Sequence, residues 1–475
     1  MTMSDFVIQS TNRLPMAFSS FEPISLNFTY VCQRWRSVAL GTPQLWRRLP
    51  FVYRKWTEVM LERSKRSTLV IKMNFYNFNS SKVSKTADLQ RIKDVVTNHA
   101  DRIREIELRG IKSSELATLL DGIPDSSLRL TSLVLTRSTP ENFMIPTSIM
   151  ADLHRLRWLH TRGFHFPWYS QSLCPLTHLI VEHSPEPPPI ASFFAALRAM
   201  PALEVLYLAH SLPETCDIRD VDPIILCNLK DLRLISFTCL SNVLSVIVVP
   251  VETTVHLKCT EPGSRFPSSL SDFFSSMCSR EFKRPSYRNL RIPWGIICAL
   301  HFTCGETDNL KLGLVFSTRL PKGVIQSIPL RNLSSLSISD SIPAETFVAS
   351  FAKCRHLAVI DFSCSGVVGW TEAMWTIDKM ALESQVHGVA FPGLHTISFT
   401  DAAFHDAKTW GINFKVFESW LRNRRNHNVG LKRLTLTCCS YIGEPEVQSL
   451  RRLVGDVYWN GYMGGPGYWW FIVRV

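Results

Sequence analysis

The chain has 475 residues, 45% of them apolar and 19% charged, and 52 basic against 40 acidic side chains give a formal net charge of +12. That length exceeds one compact core and fits about three domains or one elongated array; the composition excludes a wholly disordered, fibrous or coiled-coil chain. Half of the excess, ten basic against four acidic side chains, falls within residues 1–66, which points that region toward an acidic partner or a polyanion.

Residues 1–15 include Asp5, Gln9, Asn12 and Arg13 and hold no apolar run suited to a secretory signal. The thirteen cysteines form no C-x-x-C pair, and the Cβ atoms of adjacent Cys438 and Cys439 would diverge on a strand. Reduced core thiols are therefore expected, in the cytoplasm or nucleus, with the sequons at Asn27, Asn79 and Asn332 unused. Between Leu26 and Leu49, Val31, Trp35, Val38 and Ala39 recur at helical spacing as one apolar stripe, with Arg34 and Arg36 outside it. Gly41 and Pro43 stop this helix, and Leu45–Trp46 supplies a second apolar anchor. Burial of Trp35 in that stripe would make its truncation cost about 3–5 kcal/mol. A further helix over Trp56–Ser64 leads to a strand.

From residue 103 onward the pattern L-x-x-L-x-L, with Ile, Val or Phe allowed, recurs. It begins at Ile103, Leu130, Leu176, Leu203, Leu229, Leu333, Leu357, Leu394 and Leu431, with a degraded copy at Leu156 that ends in Thr161. The first starting positions step by about 20–27 residues, the period of leucine-rich repeats. L-x-L puts two side chains on one strand face, and no single repeat can bury that face without a neighbour. Three residues past the last apolar position stand Ser138, Ser184, Ser211, Ser341, Ser365 and Cys439, small groups able to satisfy the bending backbone.

Helices are expected between strands, at 113–121 (capped by Ser113 and Gly122), 192–200 and 345–351. Phe193 and Leu197 precede their strand by the same spacing as Phe347 and Phe351 precede theirs. The uncharged run Ile235–Val251 is too short and polar for a membrane span and reads as a buried strand pair. The stretch 237–332 fits the repeat poorly, with weak strands at 253–259 and 310–316.

No nucleotide, hydrolase or zinc-protease motif occurs, so neither an enzyme nor a cofactor is expected. Asp217, Asp220 and Asp222 read as a solvated loop. The spacing of His154, His160, His165 and Cys174 matches no zinc module. Glu383 and His387 read as a structural helix pair, and Pro185–Pro189 as a stiff connector. Nucleic acid, suggested by Arg47, Arg48, Arg54, Lys55, Arg63, Lys65 and Arg66, ranks below a protein partner because no reading motif accompanies these charges.

The order V-C-x-x-W-x-x-x-A at Val31–Ala39 followed by T-P-x-L-W at Thr42–Trp46 resembles the C-terminal half of an F-box. More closely, the chain resembles the F-box proteins with degenerate leucine-rich repeats abundant in mushroom-forming fungi. Trp56–Ser64 is similar to that family's W-L-E-R-S helix, and Val447–Gly461 to its closing helix and V-x-W-D-G strand. The resemblance implies an α/β fold: an irregular leucine-rich-repeat solenoid of parallel strands and helices behind a small helical F-box-like module. It implies a module over 1–50, a helical linker and opening cap over 51–102, repeats over 103–440, and a capping helix, strand and Gly/aromatic tail over 441–475. It further implies a non-catalytic substrate-recognition subunit of a Skp-cullin-F-box ubiquitin ligase. Leu14, Pro15, Val31, Cys32, Trp35, Leu45 and Trp46 would bind the Skp-type adaptor, and the repeats an unknown protein substrate. The family's opening helix is reduced here to Leu14–Pro15, with Pro23 where a helix would continue. The alternative is accordingly a repeat scaffold for protein interactions that has lost the adaptor.

Overall fold

The computed structural model describes residues 32–76, 82–120, 129–137, 155–168, 173, 175–213, 221–236, 240–259, 266–277, 287–292, 298–303, 310–316, 323–339, 342, 344–351, 354–363, 373–374, 376, 391–404 and 411–462. The chain separates into two compact units, Met1–Phe164 and His165–Val475. The division falls inside the repeats rather than at either end of them.

The first unit opens with helix α1 (Gln33–Leu40), a 3-10 turn (Pro43–Trp46) and helix α2 (Arg54–Arg63). It continues with β1 (Leu69–Asn74), α3 (Lys82–Asn98), β2 (Ile103–Arg109), α4 (Ser113–Leu120), β3 (Ser132–Thr136) and β4 (Trp158–Arg162). The four strands are parallel and neighbours in chain order. Their register carries the repeat: Ile71, Ile106, Leu133 and Leu159 align in one row, and Met73, Leu108, Leu135 and Thr161 in the next. Both rows are buried, including Thr161, so the degraded copy is a full member of the array. Residues 51–102 thus contribute a repeat strand, β1, as well as helices. Sequence alone hid its place in the array because Thr68 stands where the first Leu would. Ser113 lies inside α4, and its hydroxyl accepts from Arg137 Nη1 at 2.6 Å; Gly122 lies outside the described residues.

The second unit runs β5 (His178–Glu182), α5 (Ile190–Arg198), β6 (Val205–Ala209), β7 (Ile224–Ile225), β8 (Asp231–Ser236), α6 (Leu240–Val246), β9 (Ile247–Val248) and β10 (Thr254–Cys259). It then runs α7 (Phe266–Ser276), β11 (Asn289–Ile292), β12 (Cys298–Thr303), β13 (Leu310–Phe316), β14 (Ser335–Ile338), α8 (Ala344–Phe351) and β15 (Val359–Ser363). Last come β16 (Thr396–Thr400), α9 (Phe414–Asn426), β17 (Arg433–Thr437), α10 (Glu444–Leu453) and β18 (Asp456–Trp459). Strands 5, 6, 8 and 10 form a parallel ladder within this unit, with Leu179, Leu206, Leu232 and Val255 in one row. The expected helix anchors Phe193, Leu197, Phe347 and Phe351 are all buried. Each such side chain withdrawn from water stabilises by about 1.5–3 kcal/mol.

The weak strands expected at 253–259 and 310–316 are β10 and β13, which pair in parallel. Between β10 and β14 the order along the sheet is β13, β12, β11, the reverse of chain order. β12 runs antiparallel to both neighbours, so β13 and β11 keep the common direction and the ladder resumes at β14. A hairpin-built insertion of this kind has no L-x-x-L-x-L signature.

The run 235–251 is corrected. It forms no strand pair but the end of β8, helix α6 and the two-residue β9, which pairs with β7. Leu240, Val243, Leu244 and Val246 are all buried, and their 3–4 spacing selects a helix over a strand. No helix among the described residues is long and apolar enough to cross a membrane.

Two residues past the last apolar position, the backbone enters the left-handed region at Gly110, Gly163, His183, His210, Asp401, Cys438 and Gly461. At Gly110 a Cβ would come within 2.9 Å of the Tyr76 backbone nitrogen, so glycine is required there. One residue further, the expected small polar groups do their work. The Ser211 hydroxyl, 1% exposed, donates to Ala209 O at 2.9 Å and accepts from Ser184 N–H at 3.1 Å. Buried Cys439 directs its thiol to Phe399 O at 3.5 Å. Ser138, Ser341 and Ser365 lie outside the described residues. The cysteine pair follows β17 rather than lying on it: Cys438 occupies the exposed turn and Cys439 the core. Reduced core thiols describe Cys259, Cys354 and Cys439, whereas Cys32, Cys227 and Cys438 are exposed. Burial pushes the Cys354 thiol up to about 12 and the Cys439 thiol to about 11, so both stay neutral.

Candidate functional site

Helix α1 has eight residues, too few to hold together alone in water. It is anchored through its C-terminal end. Gly41 N–H donates to Ser37 O at 2.9 Å, and the Thr42 hydroxyl donates to Val38 O at 2.8 Å. From below, the Trp46 indole N–H donates to Ala39 O at 2.8 Å. Trp46 is 0% exposed and carries the Arg63 guanidinium over its ring at 4.6 Å. The chain leaving the 3-10 turn is stitched to β1, with Val70 N–H donating to Arg47 O at 2.9 Å and a parallel bridge between Arg48 and Val70. The module is therefore built on the first strand of the repeats.

The expected stripe needs correction. Of Trp35, Val38 and Ala39, only Ala39 is buried; Trp35 is 51% and Val38 59% exposed. Leu40 and Leu45 are also exposed, at 40% and 39%. Trp46, expected as a contact residue, points inward and packs the module instead. Cys32 is exposed beside α1, while Leu14, Pro15 and Val31 lie outside the described residues. Sequence reasoning did not single out Leu40, the last residue of α1. Trp35 and Val38, three residues apart, share one exposed face of α1 bordered by exposed Arg34 and Arg36, and Leu40 lies on another side of the helix.

Much of the basic excess of residues 1–66 has an internal role. Arg47 reaches Glu105 at 3.6 Å, Arg54 reaches Glu58 at 3.1 Å, and Arg63 covers Trp46. On the solvent side of β1 and β2, Lys72 Nζ lies 2.9 Å from Glu107, and Arg109 Nε donates to the same carboxylate at 2.6 Å. Burial would raise the Glu107 carboxyl, but the hydrogen bonds and charges of Lys72 and Arg109 outweigh it and hold the group below its ordinary value.

In the second unit the corresponding outward positions change character along the array. On β8, Arg233 forks onto Asp231, with Nη2 to Oδ2 at 2.7 Å. From β14 to β17 the outward residues are mainly hydroxyls: Ser335 and Ser337, Thr396, Ser398 and Thr400, Thr435 and Thr437. A face of this kind offers hydrogen bonds to a partner; within it Thr396 Oγ1 lies 2.9 Å from His395 Nδ1, and Asp361 stands between Ser337 and Ser398.

Where β5 and β6 end, the left-handed residues His183 and His210 bring their rings together, centroids 4.9 Å apart. Burial first, then the charges of His183 and Lys258, push His210 down to about 4. The unfolded chain protonates this imidazole near its ordinary value, about 6.5. Between those values the unfolded state binds more protons, so stability falls as pH drops through the window. The melting temperature should decline from about pH 7 to about pH 5, and less steeply in His210→Gln. Identical pH profiles for the two proteins would refute this.

Among the described residues no group of three His, Cys, Asp or Glu side chains could hold a metal ion. His160 and His165 belong to different units, and His154 and Cys174 lie outside the described residues. So do Asp217, Asp220, Glu383 and His387.

No protein-family model matches the chain, and no curated protein matches it. Among solved structures it is similar to a chain of the TLR13–ssRNA13 complex, at 14% identity and a TM-score of 0.32, over 75% of this chain and 45% of that one. It is also similar to a chain of the Rad7 and Elc1 complex in yeast, at 15% identity and a TM-score of 0.29, over 86% of this chain and 94% of that one. This chain thus spans less than half the length of the TLR13 chain it matches.

Proposed function

We propose that the chain is a non-catalytic substrate-recognition subunit of a Skp-cullin-F-box ubiquitin ligase. In this reading α1 and the following turn are an F-box-like module, and Trp35, Val38 and Leu45, with Cys32 at the edge, dock on a Skp-type adaptor. The leucine-rich repeats form a solenoid whose outward strand face selects the protein to be ubiquitinated. The observation that carries the reading is the exposed apolar patch on α1, held in place by buried Trp46. An apolar helix face rimmed by Arg34 and Arg36 suits a partner with an apolar groove and an acidic border. The ordered resemblance of Val31–Trp46 to an F-box supports the same assignment. The compartment expected for such a subunit is the cytoplasm or nucleus.

Absence of the family's opening pattern after Leu14–Pro15 favours a second reading, an interaction scaffold without the adaptor. Co-purification of the full chain with a Skp-type adaptor separates the two. Under the ligase reading the complex forms and is lost in Val38→Asp, whose side chain is already in water and whose fold is retained. Failure of the unmodified chain to bind the adaptor would leave the scaffold reading.

A further inference from the structure

Once the repeats are in register, arginine occupies the same place in three successive strands of the first unit. Arg102, Arg129 and Arg155 each stand one residue before the first apolar position of their repeat, and Arg104 and Arg157 one residue after it. Backbone hydrogen bonds tie these points into a row: Thr131 N–H donates to Arg104 O at 2.7 Å, and Arg157 N–H to Thr131 O at 2.9 Å. Neighbouring strands lie about 4.8 Å apart, so the row crosses three strands within roughly 10 Å. Arg129, Arg155 and Arg157 are exposed, and Arg104 is half-buried.

The charges in this row repel one another. Burial, then the positive charges of Arg129 and Arg155, push the Arg104 guanidinium down, with Asp101 as the acid that opposes them. Among the described residues no carboxylate forms an ion pair with Arg129 or Arg155. The neighbouring strand face behaves differently, because its Lys72, Arg109 and Arg47 meet Glu105 and Glu107. The second unit has no counterpart either: the place before the first apolar residue holds Ala202, Asn228, Asn332 or Gly430, and in no repeat arginine or lysine. Arg102 turns inward, donating to Ser67 O at 3.1 Å and Ser64 Oγ at 2.6 Å, which leaves Arg104, Arg129 and Arg155 as like charges gathered by the fold, a surface suited to an external multivalent anion.

We propose that the arginine row binds an extended acidic segment of another polypeptide. Guanidinium groups fork onto carboxylates, and a row of them rewards several carboxylates in sequence. An extended peptide advances about 3.3 Å per residue, so a short acidic run spans the roughly 10 Å of the row and presents several carboxylates along it. Single-stranded nucleic acid would want aromatic platforms for its bases. The aromatic beside the row, Trp158, is half-buried in β4. Binding of this kind requires nothing of the N-terminal module, so it can hold whether or not the adaptor reading does.

Fluorescence anisotropy with the full chain and a labelled oligo-glutamate peptide tests it. Binding should be clear at low salt and weaken at physiological salt. It should fall at least about tenfold in the double variant Arg129→Glu, Arg155→Glu, and stay unchanged in Lys432→Glu, a reversal at a comparable place in the second unit. The double variant should melt no lower than the unmodified chain, because repulsion on Arg104 is relieved. If it does melt lower, the milder pair Arg129→Gln, Arg155→Gln decides: loss of binding supports the row and retention overturns it. Equal affinity for oligo-glutamine, tighter binding of a single-stranded DNA of matched charge, or equal weakening by Lys432→Glu would each overturn it.

Discussion

Trp46→Ala is expected to lower the stability of the first unit by about 3–5 kcal/mol, and Trp35→Ala by clearly less, because about half of that side chain is already in water. Eleven residues apart in sequence, the two indoles face opposite environments. Trp46 is wholly buried, spends its N–H on the Ala39 carbonyl and carries Arg63 on its face. Its removal opens a large cavity, takes from Ala39 O one of its donors and uncovers a guanidinium. Trp35 is half in water, so truncation removes less packing than at Trp46. Adaptor binding should respond to both: Trp35→Ala loses the complex with the fold intact, and Trp46→Ala loses it because α1 detaches. Protease resistance of residues 33–76, followed alongside the co-purification, separates the two causes. A Trp35→Ala protein that unfolds as readily as Trp46→Ala would contradict the assignment of one as surface and the other as core.

This pair also shows where sequence reading stops. Helical spacing identified Trp35, Val38 and Ala39 as companions, but periodicity tells which residues share a face and not whether anything covers it. The repeats were legible because register converts spacing directly into contact. Leu206 meets Leu232 and Leu208 meets Leu234 because each repeat presents L-x-L at one phase. Buried Ser211 and Cys439 were legible for the same reason, as small groups at a fixed offset from the strand. β11 and β12 were not, since a hairpin that reverses strand order obeys local turn preferences and leaves no periodic trace. The run 235–251 misled because a short apolar stretch suits helix and strand equally, and only the burial of Leu240, Val243 and Leu244 decides. The arginine row was present in the sequence but takes shape only when residues 102, 129 and 155 are compared by repeat position.

The second large effect is expected at Arg424, a wholly buried arginine on α9. Asn413 caps that helix by accepting from Val416 N–H at 3.1 Å, and Phe417, Trp420 and Leu421 line its inner face with Arg424. The Arg424 Nη2 donates to Phe391 O at 3.0 Å and to Leu394 O at 3.1 Å, and its guanidinium lies 5.0 Å from the Trp420 ring centre. Those carbonyls belong to the turn that feeds β16, where Phe391 is held in the left-handed region and Phe399 stacks on Phe362 at 5.5 Å. One side chain therefore fastens a helix to the turn that sets the next strand's register. Hydrogen bonds from a charged donor contribute about 1.5–3 kcal/mol each, and breaking a buried charged contact costs about 3–5 kcal/mol. Arg424→Ala should destabilise the second unit by about that amount, since it adds a cavity to two under-bonded carbonyls. Arg424→Met keeps most of the volume and should cost less, and Arg424→Lys should fall between them because an ammonium cannot match the guanidinium's planar fork. The loss should be insensitive to salt, as the group is shielded from solvent ions. Chemical denaturation of the three variants checks the order, and an alanine variant within about 1 kcal/mol of the unmodified chain would show that α9 and the β16 turn are held by apolar packing alone.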